Sequence, residues 1–153
     1  MSLTIRHAAR EDCPRIMELI EELAEFEKAP PGTITATLSH LEDSGFGPHP
    51  VWWAFVAEEN GHVIGFALYY IRYSTWRGQR LYLEDLIVTH EKRGLGAGRL
   101  LFDRLIQETE EKGFSGMTWQ VLDWNEPTIQ FYKKYGADIE AGWHNCNLTV
   151  PRL

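Results

Sequence analysis

A chain of 153 residues, 44% apolar and 24% charged, has room for one hydrophobic core and is expected to form a single domain over 1–153. Its formal net charge of −7 argues against a nucleic-acid surface, and no apolar run approaches the ~18–20 residues of a membrane span. With no signal-peptide layout, and with Cys13 and Cys146 outside any CxxC or metal spacing, the chain reads as cytoplasmic, with reduced, buried or half-buried thiols and no metal.

"LTIRHA" alternates and predicts a first strand. "EDCPRIMELIEELAEFEK" spaces Ile16, Leu19, Ile20, Leu23 and Phe26 along one helical face, with Asp12 as N-cap and Pro14 in the first turn. After the break "APPG", "TITATLSHLEDSGF" predicts a shorter second helix. "VWWAFVAEE", "HVIGFALYYIRYS" and "QRLYLEDLIVT" are β-rich runs, the first two joined by the tight-turn pair Asn60-Gly61. A glycine-rich stretch then precedes an amphipathic helix built on Leu100, Leu101, Leu105 and Ile106. "GMTWQVLD" predicts a strand, and "NEPTIQFYKKYGA" a short helix with Asn125 as N-cap, Pro127 in its first turn and Gly136 as its stop. "GWHNCNLTV" predicts a last strand. The order β-α-α-β-β-β-α-β-α-β implies an α/β fold whose mixed, mostly antiparallel sheet has one late parallel crossover.

Gly94, Gly96 and Gly98 crowd the mouth of an otherwise good helix. A glycine within a helix costs roughly 1 kcal/mol relative to alanine, so the position has to need a bare backbone. An anion lying on helix-terminal N–H groups is the leading reason. A P-loop would need GxxxxGK[ST], which is absent. A GxGxxG fingerprint fails because its third glycine would be Arg99 or Leu101. What stands is Arg-x-x-Gly-x-Gly, Arg93 to Gly98, between a hydrophobic strand and a helix, with Lys92, Arg93 and Arg99 adding positive charge to an acidic chain.

Arg93-Gly94-Leu95-Gly96-Ala97-Gly98 resembles the acetyl-CoA pyrophosphate loop of the GCN5-related N-acetyltransferases (GNAT), and the element order is also that family's. The likeness runs from Ile5 to about Asn145, and Asn125-Glu126-Pro127, Phe131-Tyr132 and Gly136 resemble the family's second cofactor motif. Tyr82-Leu83-Glu84-Asp85, Gly45 to Pro50 and Trp124 to Pro127 are similar to the diamine acetyltransferase branch, which includes spermidine/spermine and thialysine N-ε-acetyltransferases.

The resemblance implies an acetyl-CoA-dependent N-acetyltransferase acting on a primary amine, and a homodimer. Acetyl-CoA would be held by Arg93, Gly94, Leu95, Gly96, Ala97, Gly98 and Arg99, by backbone groups of Leu86 and Val88, and by Asn125. Glu84 would be the base, acting through water, and Tyr132 the acid that meets the leaving thiolate. Glu84 and Asp85 are adjacent on a predicted strand and are expected on opposite faces. Asp85 therefore stands between a substrate-binding and a structural role.

Polyamine acetyltransferases carry an aspartate before the Pro-Trp that precedes this acidic motif, where the present chain has Ser74 in "Tyr73-Ser74-Thr75-Trp76". Thialysine enzymes resemble the chain better, with a serine there and a counterpart of Val121 to Asn125. Ser74, Trp76, Glu84 and Asp85 form the expected amine site. Trp76 could equally be core, and Arg72, Arg77 and Arg80 all stand as partners for an amino-acid carboxylate. The favoured substrate is a thialysine-like or lysine-like amino acid; a polyamine substrate and a non-catalytic acyl-CoA-binding module are the alternatives.

Overall fold

A computed structural model describes residues 2–150. The chain divides into two units, residues 1–120 and 121–153. The first runs β1 (Leu3–His7), α1 (Cys13–Phe26), α2 (Leu38–Phe46), β2 (Trp53–Glu59), β3 (His62–Ser74), β4 (Gly78–Val88), α3 (Ala97–Glu111) and β5 (Met117–Trp119). Its sheet has the order β1-β2-β3-β4-β5, antiparallel except for the parallel pair β4–β5. The mixed α/β architecture expected from the sequence is therefore the one observed.

Local chemistry accounts for most boundaries. Asn60 and Gly61 both take positive φ, 51° and 83°, as a two-residue hairpin turn requires. Thr37 Oγ1 accepts from His40 N at 3.1 Å, so α2 begins at Leu38, later than the run starting at Thr33 suggests. Asp12 holds the N-cap position but makes no cap bond; its carboxylate instead receives Ala9 N at 2.7 Å and the Arg6 guanidinium, which holds its pKa below the usual range. The Gly45-Phe46-Gly47 segment also has a packing reason, because a Cβ on Gly45 would collide with the Trp52 ring.

One face of the sheet carries α1. Cys13, Ile16 and Leu19 pack with Ala54, Val56, Phe66, Leu68 and Ile87, and a fully buried Ile, Leu or Phe stabilises by roughly 1.5–3 kcal/mol. Burial pushes the Cys13 thiol up to about 11, whereas Cys146 is exposed, contrary to the expectation of two buried or half-buried thiols. The other face carries α3, whose Ala97, Leu101, Phe102 and Leu105 are buried. Tyr69 O–H donates to buried Glu108 at 2.6 Å, and the Arg104 guanidinium lies 4.3 Å from the Phe55 ring centre.

The second unit contains α4 (Glu126–Lys133). The strand expected at "GWHNCNLTV" is not formed: residues 137–150 carry no ladder, and Leu148 and Val150 are exposed. β propensity makes a strand only where a neighbouring backbone takes up its N–H and C=O groups. Among the described residues, no helix is long and apolar enough to cross a membrane.

Candidate functional site

The centre of the site is an irregularity in β4. Leu68 pairs with Asp85 and Tyr69 with Leu83, so Glu84 is an extra residue, a β-bulge. Leu68 and Ile87 belong to the α1-side core, and Phe66 pairs with Ile87, so Asp85 faces α1 as well. Tyr70 and Tyr82 are a cross-strand pair on that same face, stacked at 5.1 Å, and Tyr70 O–H donates to Glu84 Oε1 at 3.1 Å. Glu84 and Asp85 therefore share one face. The expectation of opposite faces is overturned because the extra residue shifts the strand's two-residue alternation by one.

A third carboxylate joins them, one that the sequence did not single out. Glu27 follows the last turn of α1, and burial together with the charge of Glu84 raises its pKa. Asp85 is pushed up to about 7 by burial first, then by the charges of Glu84 and Glu27. This predicts a signature in stability. From about pH 4 to 7 the unfolded chain gives up the Asp85 proton while the folded chain keeps it, so stability falls with rising pH through that window. Asp85→Asn removes this loss. Its melting temperature should exceed that of wild type by a margin that grows from pH 4 to 7 and then levels, reaching roughly 2–4 kcal/mol of stability. A constant margin would show that Asp85 is not shifted.

Beyond the bulge, β4 runs on while β5 pairs only with Leu81 to Leu83. Thr89 N donates across to Ile64 O, so alternation turns the backbone groups of Leu86 and Val88 to the other edge, where Val88 O receives Arg93 Nε at 3.0 Å. That edge leads to the glycine loop. Gly94 and Gly96 have φ of 85° and 88°, which side-chain-bearing residues rarely adopt. Leu100 N→Gly96 O is the first bond of α3, leaving the N–H groups of Ala97, Gly98 and Arg99 without intrahelical acceptors, and no side chain caps them. Gly98 needs no positive φ, and a Cβ there would meet Leu86 and Val88 at an ordinary 3.9 Å. The protein itself does not require glycine at 98, which leaves room for a ligand as its reason. Leu95 is exposed and Ala97 is buried beneath the loop.

The positive charge expected here is largely committed. Lys92 Nζ pairs with buried Glu59 at 2.8 Å, and the Arg93 guanidinium lies 5.1 Å from the Phe26 ring centre. Arg99 is exposed and makes no ion pair among the described residues. The loop's root is held from α1, where the Glu22 carboxylate receives Thr89 Oγ1 at 2.8 Å and His90 N at 2.9 Å. Nothing in the local sequence signals Glu22, because it acts across 67 residues.

At the β3–β4 turn, Ser74 Oγ accepts from Trp76 N at 3.2 Å and Arg77 N at 3.1 Å. Trp76 is 91% exposed, which excludes a core role. In the second unit, Asn125 starts α4 without a side-chain cap bond, so capping does not explain its presence. Tyr132 is buried, its ring edge-on to Phe131, and burial pushes its hydroxyl up to about 12. Among the described residues, no three His, Cys, Asp or Glu side chains gather as a metal site.

The sequence pattern of the acetyltransferase (GNAT) family matches residues 13–137. A thialysine N-epsilon-acetyltransferase of Bos taurus is 39% identical over 92% of this chain and 88% of its own. A spermidine/spermine N(1)-acetyltransferase-like protein 1 of Homo sapiens is 38% identical over 92% of this chain and 21% of its own. Among solved structures, an aminoglycoside acetyltransferase from an uncultured soil metagenomic sample superposes with a TM-score of 0.78 at 21% identity, covering 97% of both chains.

Proposed function

The chain belongs to the GNAT family and is an N-acetyltransferase, and from that premise we propose that it moves an acetyl group from acetyl-CoA to the side-chain amine of a thialysine-like or lysine-like amino acid. The observation that carries the reading is the bulge at Glu84. It gathers Glu84, Asp85 and Glu27 on one face, beside the strand whose open edge runs to the glycine loop. The relatives named thialysine N-epsilon-acetyltransferase support the substrate class.

The chemistry needs such a cluster. A lysine-like amine has a pKa of about 10.4, so near pH 7 only about one molecule in ~2,500 is neutral and nucleophilic. Removing the proton costs about 4.6 kcal/mol, within the range a positioned base supplies. Glu84 draws in the ammonium and accepts its proton through water. Asp85, poised near neutrality, is a second acceptor and substrate partner. The N–H groups of Ala97, Gly98 and Arg99, with the Gly94–Gly96 turn and Asn125, hold the acetyl-CoA pyrophosphate and arm. Leu86 and Val88 pair with the arm through their backbone groups. Tyr132 donates a hydrogen bond to the sulfur as it gains charge. Trp76 stands in the β3–β4 turn, at the far end of the hairpin from Glu84, and is not needed to hold a short amine there. Ser74 spends its hydroxyl on two turn N–H groups and offers no charge to a distal ammonium, which separates this site from a polyamine site. In this reading residues 1–153 are one catalytic domain acting as a cytoplasmic homodimer.

Release of free CoA thiol, followed across thialysine, lysine, spermidine and a lysine peptide, tests the assignment, with the free amino acids expected to be used best. The Glu84→Gln variant should lose roughly 10²–10³-fold in kcat/KM at pH 7, and the deficit should shrink toward pH 10 as the amine loses its own proton. A deficit of equal size at both pH values would remove Glu84 as the base.

A further inference from the structure

We propose that Arg72 selects the substrate by its far end, its guanidinium taking the carboxylate of a free amino acid whose side-chain amine lies at Glu84 and Asp85. The proposal rests on the acetyltransferase reading of that acidic face. Three arginines stood as partners for such a carboxylate, and the structure separates them. Arg80 is committed to the β5 edge, where its Nε donates to Thr118 Oγ1 at 2.9 Å and its Nη2 to Met117 O at 2.8 Å. Arg77 belongs to the turn beyond Ser74, the end of the hairpin farthest from Glu84.

Arg72 follows Tyr70 by two residues on β3, so it projects from the face shared by Tyr70, Tyr82, Glu84 and Asp85. Its guanidinium turns back over Tyr82, with Cζ 5.6 Å from the ring centre. It is exposed and has no carboxylate partner among the described residues. The charges of Arg72 and Glu84 act in opposite senses on both phenols, Arg72 lowering and Glu84 raising the pKa of Tyr70 and of Tyr82. The aromatic pair thus forms a floor with a cation at one end and the carboxylates at the other.

The spacing suits one substrate class. A guanidinium at the level of Tyr82 lies one two-residue step along β4 from Glu84, roughly 6.8 Å. In an extended lysine, six bonds separate the side-chain nitrogen from the carboxylate carbon, a span of roughly 7 Å. An amino acid with a four-atom side chain between Cα and its amine can therefore engage both ends. A diamine of the same length would place a second ammonium against the guanidinium, and that like-charge repulsion selects against it.

The test compares wild type with Arg72→Gln and Arg72→Lys on lysine, lysine amide and 1,5-diaminopentane, which share one carbon chain and reacting amine and differ at the far end. Wild type should prefer lysine to the amide and the diamine, which both lack the carboxylate. Arg72→Gln should lose about 10–100-fold in kcat/KM on lysine, through KM with kcat little changed. It should leave lysine amide nearly unaffected and gain on 1,5-diaminopentane, while Arg72→Lys keeps part of the preference. An equal loss on all three amines, or a wild type indifferent to the carboxylate, overturns the assignment of Arg72 while leaving the acetyltransferase reading in place. A wild-type protein that acetylates none of these amines overturns both.

Discussion

Gly96→Val protein should fold and bind acetyl-CoA at least about 100-fold more weakly than wild type. At φ 88°, a β-branched residue is strained, by upwards of about 1–2 kcal/mol, whatever space surrounds it. The protein itself does not oppose the new side chain, since a Cβ at 96 would meet nothing within 4 Å. Valine therefore either twists the turn away from its geometry or stands in the open space before the N–H groups of Ala97, Gly98 and Arg99. Both outcomes would remove the hydrogen bonds that the proposed site offers to a pyrophosphate. Calorimetric titration with acetyl-CoA reads the affinity, and a thermal melt confirms the fold. A folded variant that binds with wild-type affinity would overturn the assignment of the loop.

Tyr132→Phe should lower kcat by about 10²–10⁴-fold with little change in acetyl-CoA affinity, because it keeps the ring and removes only the hydroxyl. The mode of action can also be read. Between a phenol at about 12 and a thiol of about 8.5, complete proton transfer would be uphill by about 5 kcal/mol, so in the proposed role the hydroxyl would act as a hydrogen-bond donor to developing charge. With the ionisation pushed that high, wild-type kcat should hold level through pH 10, where an ordinary tyrosine would be half ionised. A fall in kcat centred on pH 10 would contradict the shift. A well-folded Tyr132→Phe enzyme working at the wild-type rate would make Tyr132 a packing residue.

Features whose cause lies within a few residues were legible in the sequence. The stripe Ile16, Leu19, Leu23 makes α1 amphipathic by itself, and Asn60-Gly61 adopts positive φ because of what those two residues are. Gly94 and Gly96 announce a turn that side chains disfavour, so the strand–loop–helix unit could be read before its geometry was seen. Features that depend on two segments meeting could not be read that way. The bulge at Glu84 is a mismatch of count between β3 and β4, absent from either strand alone, and it reverses the facing inferred from alternation. Glu27 looks like an ordinary surface charge until α1 brings it to the face of Glu84, and only the strand pairing separates Arg72 from Arg77 and Arg80. Lys92 reads as a phosphate-binding cation until Glu59, 33 positions earlier in the chain, neutralises it. "GWHNCNLTV" has strand composition but no ladder, since pairing is supplied by a partner strand rather than by the segment. Composition and short-range spacing thus determined the helices, the hairpin and the glycine turn, because backbone torsions and helix periodicity are local. Which charges confront one another, and on which face, was decided only by tertiary structure, because electrostatic environment and strand register are properties of the neighbours.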